Sequence, residues 1–521
     1  MVEYVLAKDE TGVRFSLPAH KIFLFLCPVS LNIMTLELSI PDVIRETLKT
    51  LENKGYLAYL VGGCVRDLIL NKEPKDWDVT TNATPEEIAS LFPKTVYENS
   101  FGTVTVIHEE IEDIRFRNIE ITPFRLEAKY SDKRHPDEVK FSQNIEDDLK
   151  RRDFTINALA YNLKGQLIDL FGGISDLKDK VIRTVGEPDE RFTEDALRLL
   201  RAIRFATQLG FTINIETEKS ILKNSDLLSS VSMERIRDEF TKMIMSAEPL
   251  NGLILSHKLG VLKHIVPELE SGIGVNQGGE HIYDVWEHTI RAVQHSADRD
   301  WPLEVRLAAM FHDIGKPKTQ RVSDKPGKWS FYGHEVVGER MTDSIMQRLK
   351  FPNKTRELVV NLVRNHMFFS DPDKITLSAV RRIIVNVGPD HIWDLMKVRA
   401  CDRIGMGRPK EDPYRLRRYE AMIEEALSQP TSVAMLKIDG KKIIDVIRET
   451  PGPRIGWILH ALLEEVLEKP ELNTPEYLEN RAVELSKLND NDLLSKGEEG
   501  KEKKAEVEEE KLKEIRKRHK V

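Results

Sequence analysis

Asp76 and Asp78 in "KDWDVTT" are separated by a single residue. On a strand, side chains alternate with period two, so both carboxylates face one side and repel each other unless a cation lies between them. Oxygen ligands of this kind suit magnesium, which often completes its shell with substrate phosphates. Two such ions can activate an attacking hydroxyl and stabilise the leaving oxygen of an in-line displacement. A pair of spaced aspartates is more often a surface turn, so the neighbourhood must decide. Upstream, "VGGCVRD" places Gly62 and Gly63 at a strand-to-helix junction, where backbone N–H groups can approach phosphate closely. Arg66 follows in the first helical turn, able to hold a triphosphate as a fork or to pair with Asp67. Glu120 in "NIEITPF" is a candidate third carboxylate from a neighbouring strand; alternation alone leaves a surface glutamate equally open.

A second set of chemically capable residues lies far downstream. "DVWEHTIRAV", "AAMFHDIGKP", "YGHEVVGERM", "LVRNHMFF" and "ACDRIG" supply His288, His312, Asp313, His334, His366 and Asp402. A lone helical histidine is usually structural. An adjacent His-Asp that closes an apolar helix, followed by Gly315, Lys316 and Pro317, is far less common by chance. Imidazole and carboxylate together suit a transition metal or magnesium, and such a centre can activate water for phosphoester hydrolysis. The alternative is a helical body that keeps these histidines for packing.

Both sets need elements to position them. At 521 residues the chain is too long for one core and implies about three or four domains. The net charge of −8 argues against a uniformly basic surface for nonspecific nucleic-acid binding, though local basic grooves remain compatible with it. Cys27, Cys64 and Cys401 form no CxxC pair, which argues against a disulfide framework or thiolate zinc site and fits a reducing cytoplasm. The apolar run "IFLFLCPVSLNIM" is too short to span a bilayer, contains Pro28 and lacks a clear small-residue cleavage site. Residues 1–34 read instead as an extension ahead of the regular pattern, and no membrane is expected.

From there the pattern predicts a helix over "IPDVIRETLKTLENKG", capped at Gly55, a buried strand at "YLAYLVGG" and a helix opening at "CVRDLIL". "WDVTT", "GTVTVIH" and "NIEITPFR" read as strands, and "TPEEIASLF" as a helix capped by Thr84. The expected fold is α+β: a small sheet domain over 35–171, then a helical neck over 172–270 containing a helix at "EDALRLLRAIRFATQLG". The histidine-bearing helical domain follows over 280–408, with a further helical region over 430–485. There, Lys441, Lys442 and Arg454 flank a Gly-Pro turn, read either as a phosphate contact or as a plain helical hairpin. The mixed-charge tail 486–521 has few apolar anchors and reads as solvated.

"VGGCVRD", "DWDVTT", "RRDFTINALAYN", "EDALRLLRAIRFA" and "SMERIRDE" occur in the order seen in bacterial tRNA nucleotidyltransferases and their poly(A) polymerase relatives. From about Thr35 to Met245 the chain resembles the class II CCA-adding enzymes. The resemblance implies a polymerase-β-like head in which Asp76 and Asp78 hold Mg2+, and partners that are tRNA, CTP and ATP. It implies that Arg152 contacts the nucleotide, with Arg151, Asp153 and Asn157 shaping the same pocket. The plain alternative for that motif is an Arg–Asp cluster capping a helix. Glu194, Asp195 and Arg198 match the family's protein template for the incoming base. A carboxylate accepts from the amino group of cytosine or adenine while arginine donates to a ring acceptor, so one pair serves both. Arg198, Arg201 and Arg204 recur every third residue and would extend from base to triphosphate. "FRLEAKYSDKRHPDEVKF" matches a loop that helps the family switch from C to A addition. The downstream cluster resembles the HD phosphohydrolase superfamily, with His288, His312, Asp313 and Asp402 as core ligands and His334 and His366 completing a second position for a divalent metal.

The expected activity is template-independent addition of CMP and AMP to tRNA 3′ ends, with accessory HD phosphohydrolase chemistry as an addition. The rivals are a poly(A) polymerase, a CC- or A-only enzyme, and an HD hydrolase whose inactive head binds RNA.

Overall fold

The apolar spacing of "DVIRETLKTLE" buries Ile44, Leu48 and Leu51 along one stripe, and the segment is a helix in the computed structural model of the chain. The structure describes residues 33–98, 102–126, 140–278, 281–322, 329–367, 375–427, 435–489 and 492. The extension through residue 32, all of the "AKYSDKRHPDEV" loop and nearly all of the charged tail lie outside them. Two compact units divide the chain, one ending at Val231 and one starting at Ser232.

The first unit is built on an eight-stranded sheet. In chain order its strands are β1 (Ile33–Thr35), β2 (Ala58–Val61), β3 (Asp78–Thr81), β4 (Thr95–Glu98), β5 (Thr103–Ile107), β6 (Asn118–Pro123), β7 (Leu159–Tyr161) and β8 (Gln166–Asp169). Across the sheet they run β1-β8-β7-β2-β3-β6-β5-β4. β3 and β6 pair in parallel, and the other neighbours are antiparallel. Helices α1 (Asp42–Glu52), α2 (Gly63–Ile69), α3 (Pro85–Leu91), α4 (Ile114–Arg117), α5 (Ile145–Lys150) and α6 (Gly173–Asp179) are interleaved with them. α3 begins with a reciprocal cap: Thr84 accepts from the Glu87 amide while Glu87 accepts from the Thr84 amide. Beyond the sheet come α7 (Pro188–Glu194), α8 (Leu197–Leu209) and α9 (Ile215–Asn224).

The helix expected at "EDALRLLRAIRFATQLG" forms as α8 from Leu197, while Glu194 closes the preceding α7. Asp195 takes an extended conformation between α7 and α8, and its Oδ1 accepts from the Leu197 amide at 3.1 Å. A short acidic side chain that bonds its own downstream backbone competes with helix continuation.

The second unit is helical: α10 (Met233–Ile244), α11 (Pro249–Lys258), α12 (Pro267–Glu270), α13 (Val285–Asp298), α14 (Leu303–Phe311), α15 (Lys316–Thr319), α16 (His334–Arg348), α17 (Asn353–Asn365), α18 (Leu377–Val387), α19 (Ile392–Gly405) and α20 (Tyr414–Leu427). Leu307, Ala308, Phe311, Val359, Leu362 and Leu395 are buried in its core. α13 and α19 approach closely at Gly405, where a Cβ would lie 2.7 Å from the His288 carbonyl oxygen. The last three helices, α21 (Gly440–Ile447), α22 (Pro453–Glu468) and α23 (Pro475–Ser486), bury Ile443, Ile458, Leu462 and Leu478 together. Arg454 Nη2 donates to the Ser486 and Leu488 carbonyls at 2.8 and 2.5 Å, so this guanidinium ties the end of α23 to the start of α22.

Candidate active site

The glycine turn is where three of the sequence motifs converge. β2 ends at Val61, and Gly62 turns the chain into α2 with φ 76° and ψ −134°, a conformation open to glycine. A Cβ at Gly62 would lie 2.8 Å from Arg152 Nη1 and 3.5 Å from Asp78 Oδ2. Only a bare backbone lets the turn, the arginine and the aspartate approach this closely. Arg66 pairs with Asp67, the second of its two readings: Nε donates to Asp67 Oδ1 and Nη1 to Asn157 Oδ1, each at 2.8 Å.

β3 begins at Asp78, and Asp76 lies in the exposed bend before it, so the expectation that both occupy one strand holds for Asp78 alone. The ladder explains the difference. β6 pairs from Asp78 onward, while β2 has already turned away at Gly62. Asp78 and Glu120 are direct partners in the parallel register, and registered residues of adjacent strands share a face. Glu120 thus stands beside Asp78, and it is exposed. Burial raises the Asp78 pKa, Arg152 opposes that rise, and the charges of Asp76 and Asp148 add to it.

Asp148 was not legible as a site residue, although "DDLKRR" spaces it three and four residues before the two arginines. It is fully buried, with Arg151 Nε at 2.9 Å from Oδ1 and Arg152 Nη2 at 3.0 Å from Oδ2. Burial alone would push this carboxylate up, but the two guanidinium groups hold it below its usual range. The Arg–Asp cluster that served as the plain reading of "RRDF" therefore exists, and it aims Arg152 at Asp78. Asp153 is a second buried hub. Its Oδ1 accepts from Asn157 and from the Phe154 amide, and its Oδ2 accepts from Arg201 Nε and Nη2 at 2.9 and 2.6 Å. Burial disfavours its charge, yet Arg201 and Asn157 bring the pKa down to about 2.

Arg198 is held from three sides. Nη1 donates to Glu194 Oε2 at 2.7 Å and to the Arg191 carbonyl at 3.1 Å, while Nη2 donates to the Arg151 carbonyl at 2.9 Å. The helix break at Asp195 thus presents a carboxylate and a fixed guanidinium from adjoining turns. Arg204 donates to Gln208 Oε1 at 2.8 Å and lies over the Phe205 ring.

The histidines of the second unit form a compact cluster around Asp313. His288 Nε2 lies 3.0 Å and His312 Nε2 3.3 Å from Asp313 Oδ2, and both face Asp402 Oδ1 at 3.5 and 3.7 Å. On the other oxygen, His334 Nε2 and His366 Nε2 lie 3.3 and 3.7 Å from Asp313 Oδ1. The six residues therefore make two ligand groups that share Asp313, each with its donor atoms within 4.8 Å of one another. The outer nitrogens fit that use. Nδ1 of His312, His334 and His366 faces the carbonyls of Ala309, Phe331 and Val363 at 2.8, 2.9 and 2.6 Å. A proton there leaves each Nε2 lone pair directed inward. Lys316 of the His-Asp motif completes the surroundings, with Gln277 and His281, which were not singled out from sequence. Lys316 Nζ bonds Asp313 Oδ2 and Gln277 Oε1 at 2.5 and 2.6 Å, and the His281 ring packs 5.2 Å from His288. Burial, with Lys316 nearby, takes the His281 pKa down to about 4.

Known family models match segments of both units. Residues 58–183 match the poly A polymerase head domain, residues 210–273 the probable RNA and SrmB-binding site of polymerase A, and residues 279–391 the HD domain. The CCA-adding enzyme of Lactobacillus helveticus is 51% identical over 452 residues, covering 86% of this chain and 98% of the relative. That of Leuconostoc mesenteroides is 33% identical over 438 residues, covering 84% and 94%. Among solved structures, the Bacillus stearothermophilus CCA-adding enzyme in complex with CTP superposes with a TM-score of 0.63 at 26% identity, covering 86% of this chain and 98% of that one. Among the described residues no helix is long and apolar enough to cross a membrane. With half of all residues shared along nearly the whole length of a relative, on the same fold, the chain belongs to the CCA-adding enzyme family.

Proposed function

We propose that this chain is a CCA tRNA nucleotidyltransferase, adding CMP and AMP from CTP and ATP to the 3′ end of tRNA without a nucleic-acid template. The observation that carries the reading is the parallel register setting Glu120 beside Asp78, at a glycine turn that Arg152 closes. The donor set fits a hard divalent ion, since carboxylates share one face and the charge of Asp76 reaches a half-buried Asp78. Magnesium held by Asp76 and Asp78, with Glu120 alongside, would supply activation of the attacking 3′-hydroxyl and charge stabilisation at the α-phosphate.

The remaining work falls to the chain itself. The Gly62 and Gly63 amides and the Arg66 and Arg152 guanidinium groups bind the triphosphate, which departs as pyrophosphate. Asp148 and Asp153 fix Arg152 and Arg201 in direction. Asp195 and Arg198 read the amino-and-acceptor edge that cytosine and adenine share, and Glu194 locks Arg198 in place. An arginine with few rotational choices left rejects guanine and uracil better than a mobile one.

We assign the head to 35–171, the base-selecting neck to 172–270, the HD domain to 280–408 and a tRNA-binding region to 430–485, in a protein of the cytoplasm. The decisive assay supplies tRNA transcripts ending before or within CCA with each labelled nucleotide in turn. Two cytidylates followed by one adenylate, and then arrest, is the expected product. Unbounded adenylate tails would make the protein a poly(A) polymerase, and no incorporation at all would overturn the reading.

The HD cluster is proposed to hold a second divalent metal independently of nucleotide addition. His312→Ala should remove that metal, measured by elemental analysis of the purified protein, while CMP incorporation stays within about threefold of wild type. Equal loss of both would tie the two sites together.

A further inference from the structure

One aromatic ring joins three of the motifs in the first unit. Phe205, on α8, is 5% exposed, and the guanidinium carbons of Arg66, Arg201 and Arg204 lie 5.3, 5.3 and 3.6 Å from its centroid. Phe154, the aromatic residue of "RRDF", meets it edge to face at 5.7 Å and 79°. Arg66 comes from the turn of α2, where its Nη2 would lie 3.6 Å from a Cβ placed at Gly63. Arg201 and Arg204 come from α8 itself.

Three cations gathered at one place repel one another. Neutralising each with a carboxylate would remove the repulsion and also the positive field. A ring adds a second kind of attraction beside such pairs, because its quadrupole attracts cations while carrying no net charge. Asp67 and Asp153 pair with Arg66 and Arg201 respectively, and one contact of Arg204 is a bond to Gln208 Oε1. The ring supplies attraction common to all three and adds no negative charge of its own.

We infer that Phe205 is a positioning residue, which holds Arg66, Arg201 and Arg204 at the separations needed for the phosphates of an incoming nucleoside triphosphate. The inference rests on the nucleotidyl-transfer reading. It predicts an effect common to CTP and ATP, since the phosphates are what the two share, and an effect on nucleotide affinity rather than on the chemical step.

The test compares Phe205→Leu with Phe205→Tyr in the full chain. Leucine removes the π faces, and tyrosine keeps them. KM for both CTP and ATP should rise about tenfold in the leucine variant with kcat within about threefold of wild type, and tyrosine should restore KM to within about threefold. Phe205→Met gives a second ringless variant of similar bulk should the leucine variant unfold. A packing role alone would lower the melting temperature without separating KM from kcat. Unchanged KM in the ringless variants, or equal losses in the leucine and tyrosine variants, overturns the proposal. Equilibrium binding of CTP with magnesium reads the same question without turnover. If wild type binds CTP but adds nothing to tRNA, the proposed activity fails, while a tenfold weaker binding by the leucine variant still supports the role of the ring.

Discussion

Asp78→Asn should lower CMP and AMP addition by roughly a thousandfold or more, equivalent to about 4 kcal/mol of barrier, while leaving the fold at least as stable as wild type. The two halves of this expectation come from one environment. Asp78 is half-buried, and its desolvation raises the pKa against the pull of Arg152. An ionised carboxylate in that position costs the fold, and stability linked to it falls as pH rises through the range where it loses its proton. Asparagine keeps the shape and removes the charge. The variant should therefore melt at or above the wild-type temperature, in parallel with the loss of incorporation measured on tRNA transcripts. It should also keep any metal bound by the HD cluster. A variant that is destabilised as severely as it is inactivated would make Asp78 a structural residue and refute its proposed role.

Asp153→Ala should have the opposite character, costing about 3–5 kcal/mol of stability in the first unit. Removing this carboxylate leaves Arg201 without the acceptor it reaches through two nitrogens, and strips Asn157 and the Phe154 amide of theirs. The pH dependence has a definite sign. The folded pKa of about 2 lies below the ordinary value of 3.8, so the contribution is fully present above the ordinary value and disappears as pH falls through about 2. A shift of this size corresponds to about 2–3 kcal/mol. Hydrogen exchange across α8, followed with urea at pH 6 and again near pH 3, separates the outcomes. The gap between wild type and variant should narrow at the lower pH. A constant gap would mean that lost packing, rather than the ion pair, accounts for the cost.

Much of this was readable from residue types and spacing. The glycine turn, the strand at "DVTT", the reciprocal cap at Thr84 and the Asp313-centred cluster all follow from local chemistry. The misses have physical reasons. β1, β7 and β8 are three or four residues long, and every residue of "LAY" is buried, so alternation has no exposed partner to reveal it. The break at Asp195 is hidden because Phe192, Ala196, Leu199 and Leu200 keep helical apolar spacing across it. Only the bond from the Leu197 amide to the aspartate distinguishes two helices from one. Phe205 reads as an ordinary core position until the arginines around it are placed in space. Which carboxylate would accompany Asp78 was likewise a question of register, and register between strands so distant in sequence is set by the assembled sheet.

The strand order has a consequence for how this protein comes into being. β8 and β7 lie between β1 and β2, so Ile33 finds its partner only in Ile168, and Leu60 gains its second neighbour only in Tyr161. During synthesis the earliest strands emerge with open edges, and those edges stay unpaired until the ribosome has added more than a hundred further residues. Closing so long a span before the contacts repay it makes for slow folding. The interval is also when a nascent chain is most exposed to pairing with the wrong neighbour.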